Sequence, residues 1–148
     1  MRIPLSIAAL VCLLLPWGVA RADLKRALAE PNLERRSGLA LENAAAALKA
    51  ARADYDKGDN EQVAKDVAEI LESVDLAAAS LAGSGKNPRR SDWFKKAEIS
   101  TRDLFRRIEA FQDQMSYLDR PMLDKLKARV EQVHDELLQG VMEGKKKK

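Results

Sequence analysis

Residues 92–118, DWFKKAEISTRDLFRRIEAFQDQMSYL, decide the fold. Apolar or small side chains recur along this stretch at alternating steps of three and four residues, at Phe94, Ala97, Thr101, Leu104, Ile108, Phe111, Met115 and Leu118. This spacing places them in one stripe along a long helix, and it is typical of helices that pack nearly parallel to one another. Because other helices must cover a stripe of this length, we predict an all-α protein.

Three other segments carry stripes with the same mean spacing. They occupy residues 33–57, 59–82 and 119–143, and a short amphipathic segment over residues 23–30 precedes them. Gly58 joins the first two by a turn so short that the two helices must run in opposite directions. We therefore predict an antiparallel up-down-up-down four-helix bundle that consists of two αα-hairpins.

Capping residues mark where the predicted helices begin. Asn32 precedes the first long helix, and Asp59 opens the second in a capping-box arrangement. Ser91 or Asp92 is placed to cap the third helix. Asp119, with a proline two residues later in the first turn, is expected to restart the chain as the fourth.

The first 22 residues have the composition of a secretory signal peptide. Arg2 gives a positive start, and residues 3–20 are apolar apart from Ser6. Residues 20–22, Ala-Arg-Ala, have the small–x–small form of a signal-peptidase site. The alternative is a retained membrane anchor, and prolines within the segment argue against it. We predict a signal peptide and a protein that is periplasmic or secreted.

The domain boundaries follow from these patterns. Residues 1–22 form the signal peptide, residues 23–144 the bundle, and residues 145–148, four lysines, a disordered tail. The one cysteine, Cys12, lies in the signal peptide, so the processed chain has no disulfide and no thiol chemistry. The signal peptide holds two of the 26 basic residues and no acidic one, which leaves 24 basic against 23 acidic side chains. Such a balance does not predict a specific nucleic-acid partner.

Glu131 and His134 form the one pattern that suggests a metal site. Di-iron bundles use Glu-x-x-His from two helices, together with glutamates from the other two. His134 is the only histidine, so a second copy of the motif is absent from the chain. The stripe of the fourth helix puts Glu131 on its outer side and His134 at its edge. A metal- or small-ligand-binding bundle that uses these two residues is therefore an alternative, and no cofactor is the main expectation.

Residues that could support catalysis are sparse. Nucleophilic catalysis needs an activated nucleophile next to a base, and the processed chain offers no cysteine and a single histidine. Paired carboxylates on helices are typical of solvated faces. We predict that the protein is not an enzyme.

A basic segment with an embedded tryptophan is the second candidate site. Residues 86–107 hold eight basic and three acidic side chains. The residues expected to bind an anion or a partner are Arg89, Arg90, Trp93, Lys95 and Lys96. The alternative, which the sequence favours, is that the segment pairs with the more acidic residues 23–82 and with acids of its own helix.

Partners are indicated only in outline. We expect a protein partner in the cell envelope, which the sequence does not identify, and weak contact between the tail at residues 145–148 and anionic surfaces. The runs at residues 87–91, 119–121 and 134–138, NPRRS, DRP and HDELL, are similar to those of a group of exported, all-helical bacterial proteins with no assigned function. This resemblance implies export and a helical fold, and no substrate or active residue.

Overall fold

The computed structural model describes residues 23–144, and over this range the regular secondary structure is all helical. Four long helices pack together, as the periodicity predicted. The predicted signal peptide at residues 1–22 and the predicted lysine tail at residues 145–148 lie outside the described residues.

The helices follow the order that the capping residues indicated. Their bounds are α1 Lys25–Ala29, α2 Leu33–Asp56, α3 Asn60–Gly83, α4 Asp92–Gln114 and α5 Asp124–Glu143, with a single 3-10 turn, Arg120–Leu123, before α5. None of these helices combines the length and the apolarity that a membrane crossing requires.

Two of the predicted caps are confirmed by hydrogen bonds. The Asn32 side chain accepts from the backbone N–H of Arg35 at 2.9 Å, and Asp59 accepts from the N–H of Gln62 at 3.1 Å. Gly58 has φ 77°, the left-handed conformation that ends α2 and allows α3 to begin at once. Ser91 differs: it occupies the N-cap position of α4 but its side chain makes no capping hydrogen bond there.

The core is made from the predicted stripes. Apolar side chains that are at least 98% buried come from every long helix, and they include Ala44, Leu48, Ile70, Val74, Ile108, Phe111, Leu126 and Val130. The alanines of α2 form a narrow face, which allows the α3 backbone to approach closely along most of its length.

The order of the long helices around the bundle differs from their order in the chain. The helix α2 packs against α3 and α4, and α5 packs against α4 and α3. Within the described residues, the backbones of α2 and α5 do not approach each other. Around the bundle the order is therefore α2, α3, α5, α4, and the connection from α3 to α4 crosses from one helix pair to the other.

The helix α4 is shorter than its apolar stripe predicted. It ends at Gln114 with Met115 as the C-cap, and Leu118, which we expected on the buried face, is 86% exposed. The backbone N–H of Ser116 donates to the hydroxyl of Tyr55 at 2.9 Å instead of continuing the helix. A contact with α2 thus overrides the local periodicity.

The fourth long helix also begins later than predicted. Asp119 makes no capping bond to the turn that follows it, and Pro121 lies in the 3-10 turn rather than in the α-helix. The Asp119 carboxylate accepts instead from Tyr55 at 3.0 Å and from the hydroxyl of Ser116 at 2.7 Å. The helix α5 starts at Asp124.

Candidate interaction site at the basic end of the bundle

Ends of helices from both helix pairs, α2/α3 and α4/α5, meet at the loop 84–91. At the start of α4, the Ser91 hydroxyl donates to a carboxylate oxygen of Glu34, in the first turn of α2, at 2.8 Å. Near the end of α5, Gly140 faces Pro88, and a Cβ on this glycine would lie 3.2 Å from the Pro88 Cβ. We call this end of the molecule the basic end.

Gly144, which follows the end of α5, lies against the same loop. A Cβ on Gly144 would lie 3.6 Å from the Cβ of Arg89 and 3.4 Å from the side-chain oxygen of Asn87. Gly144 has φ 76°, so glycine suits this position. Residues that are 55 positions apart in the chain are therefore adjacent at the basic end.

The loop 84–91 contains a hydrogen-bonded turn. The Asn87 side chain accepts from the N–H of Arg89 at 3.1 Å. The Asn87 carbonyl accepts from the N–H groups of Arg90 and Ser91, each at 3.0 Å. An asparagine that bonds to its own following backbone in this way fixes a turn. The backbone positions from which Arg89 and Arg90 project are thus defined.

Trp93 stands in the first turn of α4 and packs against α2. A Cβ at Gly38 would lie 2.7 Å from Cζ3 of the indole ring, so only glycine gives the ring this position. The Lys96 Nζ lies 5.2 Å from the centroid of the same ring, within the range of a cation–π contact. The ring is half-buried, with one part against α2 and another open to solvent.

Several basic side chains of the basic end lack an ion-pair partner within residues 23–144. Among residues 23–144, no carboxylate pairs with Lys86, Arg89 or Arg90. Lys95 is 3.7 Å from Asp92, and both groups are exposed, so this pair is weak. The structure thus places all five predicted anion-binding residues at one end of the bundle, with little charge neutralisation.

The rest of α4 does not pair with the acidic first half of the chain. Its ion pairs are internal or reach α5: Arg102–Glu98 at 3.7 Å, Arg107–Asp103 at 3.9 Å and Lys127–Glu109 at 3.1 Å. In the part of the chain that the structure describes, no ion pair joins α4 to α2 or α3. The predicted pairing with acids of the same helix is confirmed, and the predicted pairing with residues 23–82 is wrong.

Trp93 also lines an open groove of about 510 Å³ between α2 and α4. Its apolar lining includes Leu41 and Leu104, both buried. Its charged lining residues are Glu42, Lys96, Asp103 and Arg107. Because both signs of charge are present in equal number, the groove itself does not select a ligand by charge.

The structure separates the two residues of the predicted metal motif. His134 bonds through Nε2 to Glu98 at 3.0 Å, and its Nδ1 is 3.4 Å from Asp135. Glu131 is exposed, and the carboxylates in contact with the imidazole are those of Glu98 and Asp135. No group of three or more potential metal ligands occurs within residues 23–144. The partner of His134 is thus a carboxylate of α4, which a motif search within one helix could not find.

Two further polar clusters were missed in the sequence. Asn43 of α2 donates to Ser73 and to Glu69 of α3, each at 3.0 Å. Tyr55 and Asp119 form the second cluster, at the end of the bundle opposite Trp93. Their partners are far apart in the chain, and no local pattern marks them.

Comparisons with known proteins give no family for this chain. No family model matches it, and a search of curated proteins found no match.

Proposed function

We propose that this protein is an exported, non-enzymatic helical interaction module that binds an anionic partner in the cell envelope through its basic end. The binding residues are Arg89, Arg90, Trp93, Lys95 and Lys96. The observation that carries the proposal is that Arg89 and Arg90 project, without a carboxylate partner among residues 23–144, beside a half-buried tryptophan. Export to the periplasm or the medium is part of the proposal and rests on the composition of residues 1–22.

The chemistry of these side chains favours an anionic ligand. Arginine presents a planar set of donors that matches carboxylate and phosphate groups, and it is less strongly hydrated than lysine. The amphipathic indole of Trp93 adds apolar contact area next to the charges. A surface of this kind binds by complementarity of charge and shape and needs no reactive group.

The proposal includes antiparallel hairpins, and the contacts between α2 and α3 support it. Leu33, at the start of α2, lies beside Gly83 at the end of α3. Asn43, ten residues further along α2, bonds to Ser73, which is ten residues earlier in α3. Residue numbers that rise in one helix as they fall in the other are the pattern of an antiparallel pair.

The contacts between α4 and α5 support the same arrangement. Glu98 bonds to His134, and Glu109, later in α4, pairs with Lys127, earlier in α5. In this topology the starts of α2 and α4 and the ends of α3 and α5 lie together. The four elements that frame the basic end are thus brought to one side by the topology.

The test uses Trp93 as a built-in reporter. The full 148-residue chain is expressed in an exporting bacterial host and purified, and heparin, inorganic polyphosphate and anionic vesicles serve as anionic probes. Since Trp17 belongs to the predicted signal peptide, Trp93 is the single tryptophan of the processed chain. We expect its emission to shift when an anionic probe binds.

Two matched double variants distinguish binding at a specific site from attraction by the overall positive charge of the protein. Arg89→Ala/Arg90→Ala removes two positive charges from the basic end, and Lys57→Ala/Lys125→Ala removes two exposed charges elsewhere on the bundle. We expect the first double variant to lose about tenfold in affinity for at least one probe and the second to bind like the wild type. Equal binding by both variants, or no binding of any anionic probe, would contradict the proposal.

A further inference from the structure

One outward side of α4 carries its charges in an order that is complementary to itself. The residues that share this side by helical spacing, which we call the α4 face, are Asp92, Lys96, Ile99, Ser100, Asp103 and Arg107. All are exposed apart from Arg107, which is half-buried. Asp92 and Arg107 are equally far from the middle of the face, between Ile99 and Ser100, and so are Lys96 and Asp103. Each of these two pairs consists of an acid and a base.

The charges of the α4 face are only weakly engaged within the chain. Asp103 is 3.9 Å from Arg107, one turn along the same helix, and neither side chain is buried. Asp92 is 3.7 Å from Lys95 in a similar exposed pair. Exposed ion pairs of this kind contribute little, so their members can change partners at small cost. Lys96 has no carboxylate partner among residues 23–144.

The opposite flank of α4 is engaged by α5. Glu98 bonds to His134 at 3.0 Å, and Glu109 pairs with Lys127 at 3.1 Å. The α4 face lies on the other flank, where most of its residues line the groove between α2 and α4. No ion pair joins these two helices within residues 23–144. The charges of the α4 face are therefore available to another molecule.

The middle of the α4 face combines an aliphatic side chain with a cavity beside it. Ile99 is 54% exposed, and it borders the open groove of about 510 Å³ whose lining includes the buried Leu41 and Leu104. A two-fold interface brings the same patch of both molecules together. Ile99 of one molecule could then fill the groove of a second while its own groove receives the second Ile99. The shape of this patch, like its charge, is complementary to itself.

We propose that a second copy of this chain docks on the α4 face, with the two α4 helices antiparallel about a two-fold axis between Ile99 and Ser100. Lys96 of each copy then faces Asp103 of the other, and Asp92 of each faces Arg107 of the other. The inference goes beyond the proposed function and does not rest on it.

Charge also fixes the direction of the two helices. In a parallel pair in register, Lys96 would meet Lys96 and Asp103 would meet Asp103, and like charges placed opposite each other oppose association. Only the antiparallel arrangement opposes every charge of the α4 face with one of the other sign.

The size of the α4 face indicates a weak dimer. From Asp92 to Arg107 the helix rises about 22 Å. A contact of this length buries less than the roughly 800 Å² per partner of a standard stable interface. We therefore expect a dissociation constant of about 10–100 μM. Arg89 and Arg90 precede the α4 face, so the dimer would present one arginine pair at each of its two ends.

Sedimentation equilibrium of the purified protein, from about 5 to 500 μM, measures the association. We expect a monomer–dimer equilibrium that weakens when the salt is raised to about 0.5 M, because screening reduces the attraction between exposed charges. Trp93 lines the same groove, so its emission should shift over the concentration range in which the dimer forms.

Charge reversal tests the pairing of Lys96 with Asp103. Lys96→Glu and Asp103→Lys each place like charges opposite each other, so each should weaken the dimer at least about tenfold. The double variant Lys96→Glu/Asp103→Lys restores opposite charges and should bind within about threefold of the wild type. An equal mixture of the two single variants should form a heterodimer, because two acids of one then face two bases of the other.

Matched controls reverse charges at exposed positions of α5. Lys125→Glu and Glu131→Lys make the same changes in net charge as the two single variants and should dimerise like the wild type. A wild-type protein that stays monomeric at about 500 μM would overturn the proposal. A dimer that both single variants leave unchanged would do so too, since another surface would then form it. Binding of an apolar dye in the groove of a monomeric wild type would assign the groove to a small ligand instead.

Discussion

Tyr55 joins three parts of the chain through one hydroxyl group. Its oxygen donates to Asp119 at 3.0 Å and accepts from the backbone N–H of Ser116 at 2.9 Å. Its ring meets Phe111 edge-on, with the centroids 5.7 Å apart. The hydroxyl therefore holds the connection between α4 and α5 against the end of α2.

Removing this hydroxyl should weaken the bundle. We expect Tyr55→Phe to lower the free energy of unfolding by about 1–2 kcal/mol, because two hydrogen bonds are lost while the ring contact is kept. Urea denaturation followed by circular dichroism measures the change. Tyr117→Phe is the control: its side chain is 83% exposed, and the variant should match the wild type within about 0.5 kcal/mol. Equal effects of the two substitutions would contradict the role of Tyr55.

Gly38 leaves room for Trp93 to lie against α2. Glycine inside a helix lowers stability relative to alanine, and the contact with the indole ring explains why glycine is present here. Replacing a helical glycine by alanine normally stabilises by up to about 1 kcal/mol. At Gly38 the new Cβ would lie 2.7 Å from the indole, so the ring must move. We expect Gly38→Ala to shift Trp93 emission to longer wavelength and to give no gain in stability.

Gly83 supplies the comparison for Gly38. A Cβ there would lie 3.5 Å from Leu33, an ordinary contact. We expect Gly83→Ala to be neutral or slightly stabilising and to leave Trp93 emission unchanged. If Gly38→Ala behaves in the same way as Gly83→Ala, the close approach of Trp93 to α2 is wrong.

At the scale of the elements, His134 links α5 to α4, because its shorter polar contact is with a residue of α4 and not with one of its own helix. Its Nε2 is 3.0 Å from the carboxylate of Glu98, which is only 9% exposed. We expect His134→Ala to lower the free energy of unfolding by about 1–2 kcal/mol, because Glu98 loses a hydrogen-bond partner while it stays buried. Glu131→Ala, at an exposed position, should change stability by less than about 0.5 kcal/mol.

The same two variants test the metal alternative. A site built from Glu131 and His134 would give stoichiometric metal in the purified wild-type protein, and both substitutions would remove it. Under our proposal, we expect the two variants to differ in stability, and we do not expect both substitutions to remove bound metal. Elemental analysis of the three proteins by mass spectrometry decides between the two outcomes.

The end of α4 gives another contrast between neighbouring residues. Met115 is 3% exposed and Leu118 is 86% exposed, although the apolar stripe includes both. We expect Met115→Ala to cost about 2–4 kcal/mol of stability, because it leaves a cavity in the core, and Leu118→Ala to cost less than about 0.5 kcal/mol. Thermal unfolding of both variants measures this. Comparable losses would show that the helix continues as its periodicity predicted.

Most of the helices could be predicted from the sequence because their signals are local. Asn32, Asp59 and Gly58 act within one turn of their own position, and the apolar stripes need only the helical repeat. The end of α4 could not be predicted, since Ser116 bonds to a tyrosine 61 residues away. Local periodicity extends a helix until a tertiary contact stops it, and that contact has no local signature.

The candidate site also combines features with a local signal in the sequence and features that depend on tertiary contacts. Arg89, Arg90 and Trp93 are close in the chain, so their cluster could be predicted from composition alone. Packing between distant segments produces the other two features of the site. These are the contact of the indole with Gly38 and the approach of Gly144 to Arg89. The ion pairs within α4 could be predicted from spacing along one helix. The predicted pairing of α4 with residues 23–82 was wrong, because pairing between helices competes with pairing within a helix for the same side chains.

At the scale of the whole molecule, separation of charge along the bundle follows from the topology rather than from overall composition. The chain as a whole has a formal net charge of only +3. Folding places the loop 84–91 and residues 140–144 at one end and the turn between α2 and α3 at the other. A protein of low net charge thereby has one end at which the basic side chains of residues 84–96 collect.

The proposed location of the protein depends on processing of the first 22 residues. A signal-peptidase site requires small residues at its first and third positions before the cut, which are Ala22 and Ala20, and it tolerates any residue between them. We expect the purified protein to begin at Asp23 by intact mass, Ala22→Phe to retain residues 1–22, and Arg21→Ser to be processed normally. If Ala22→Phe is still cut at the same bond, or the wild type keeps all 148 residues, export by a cleaved signal peptide is wrong. In that case the apolar segment would attach the bundle to a membrane.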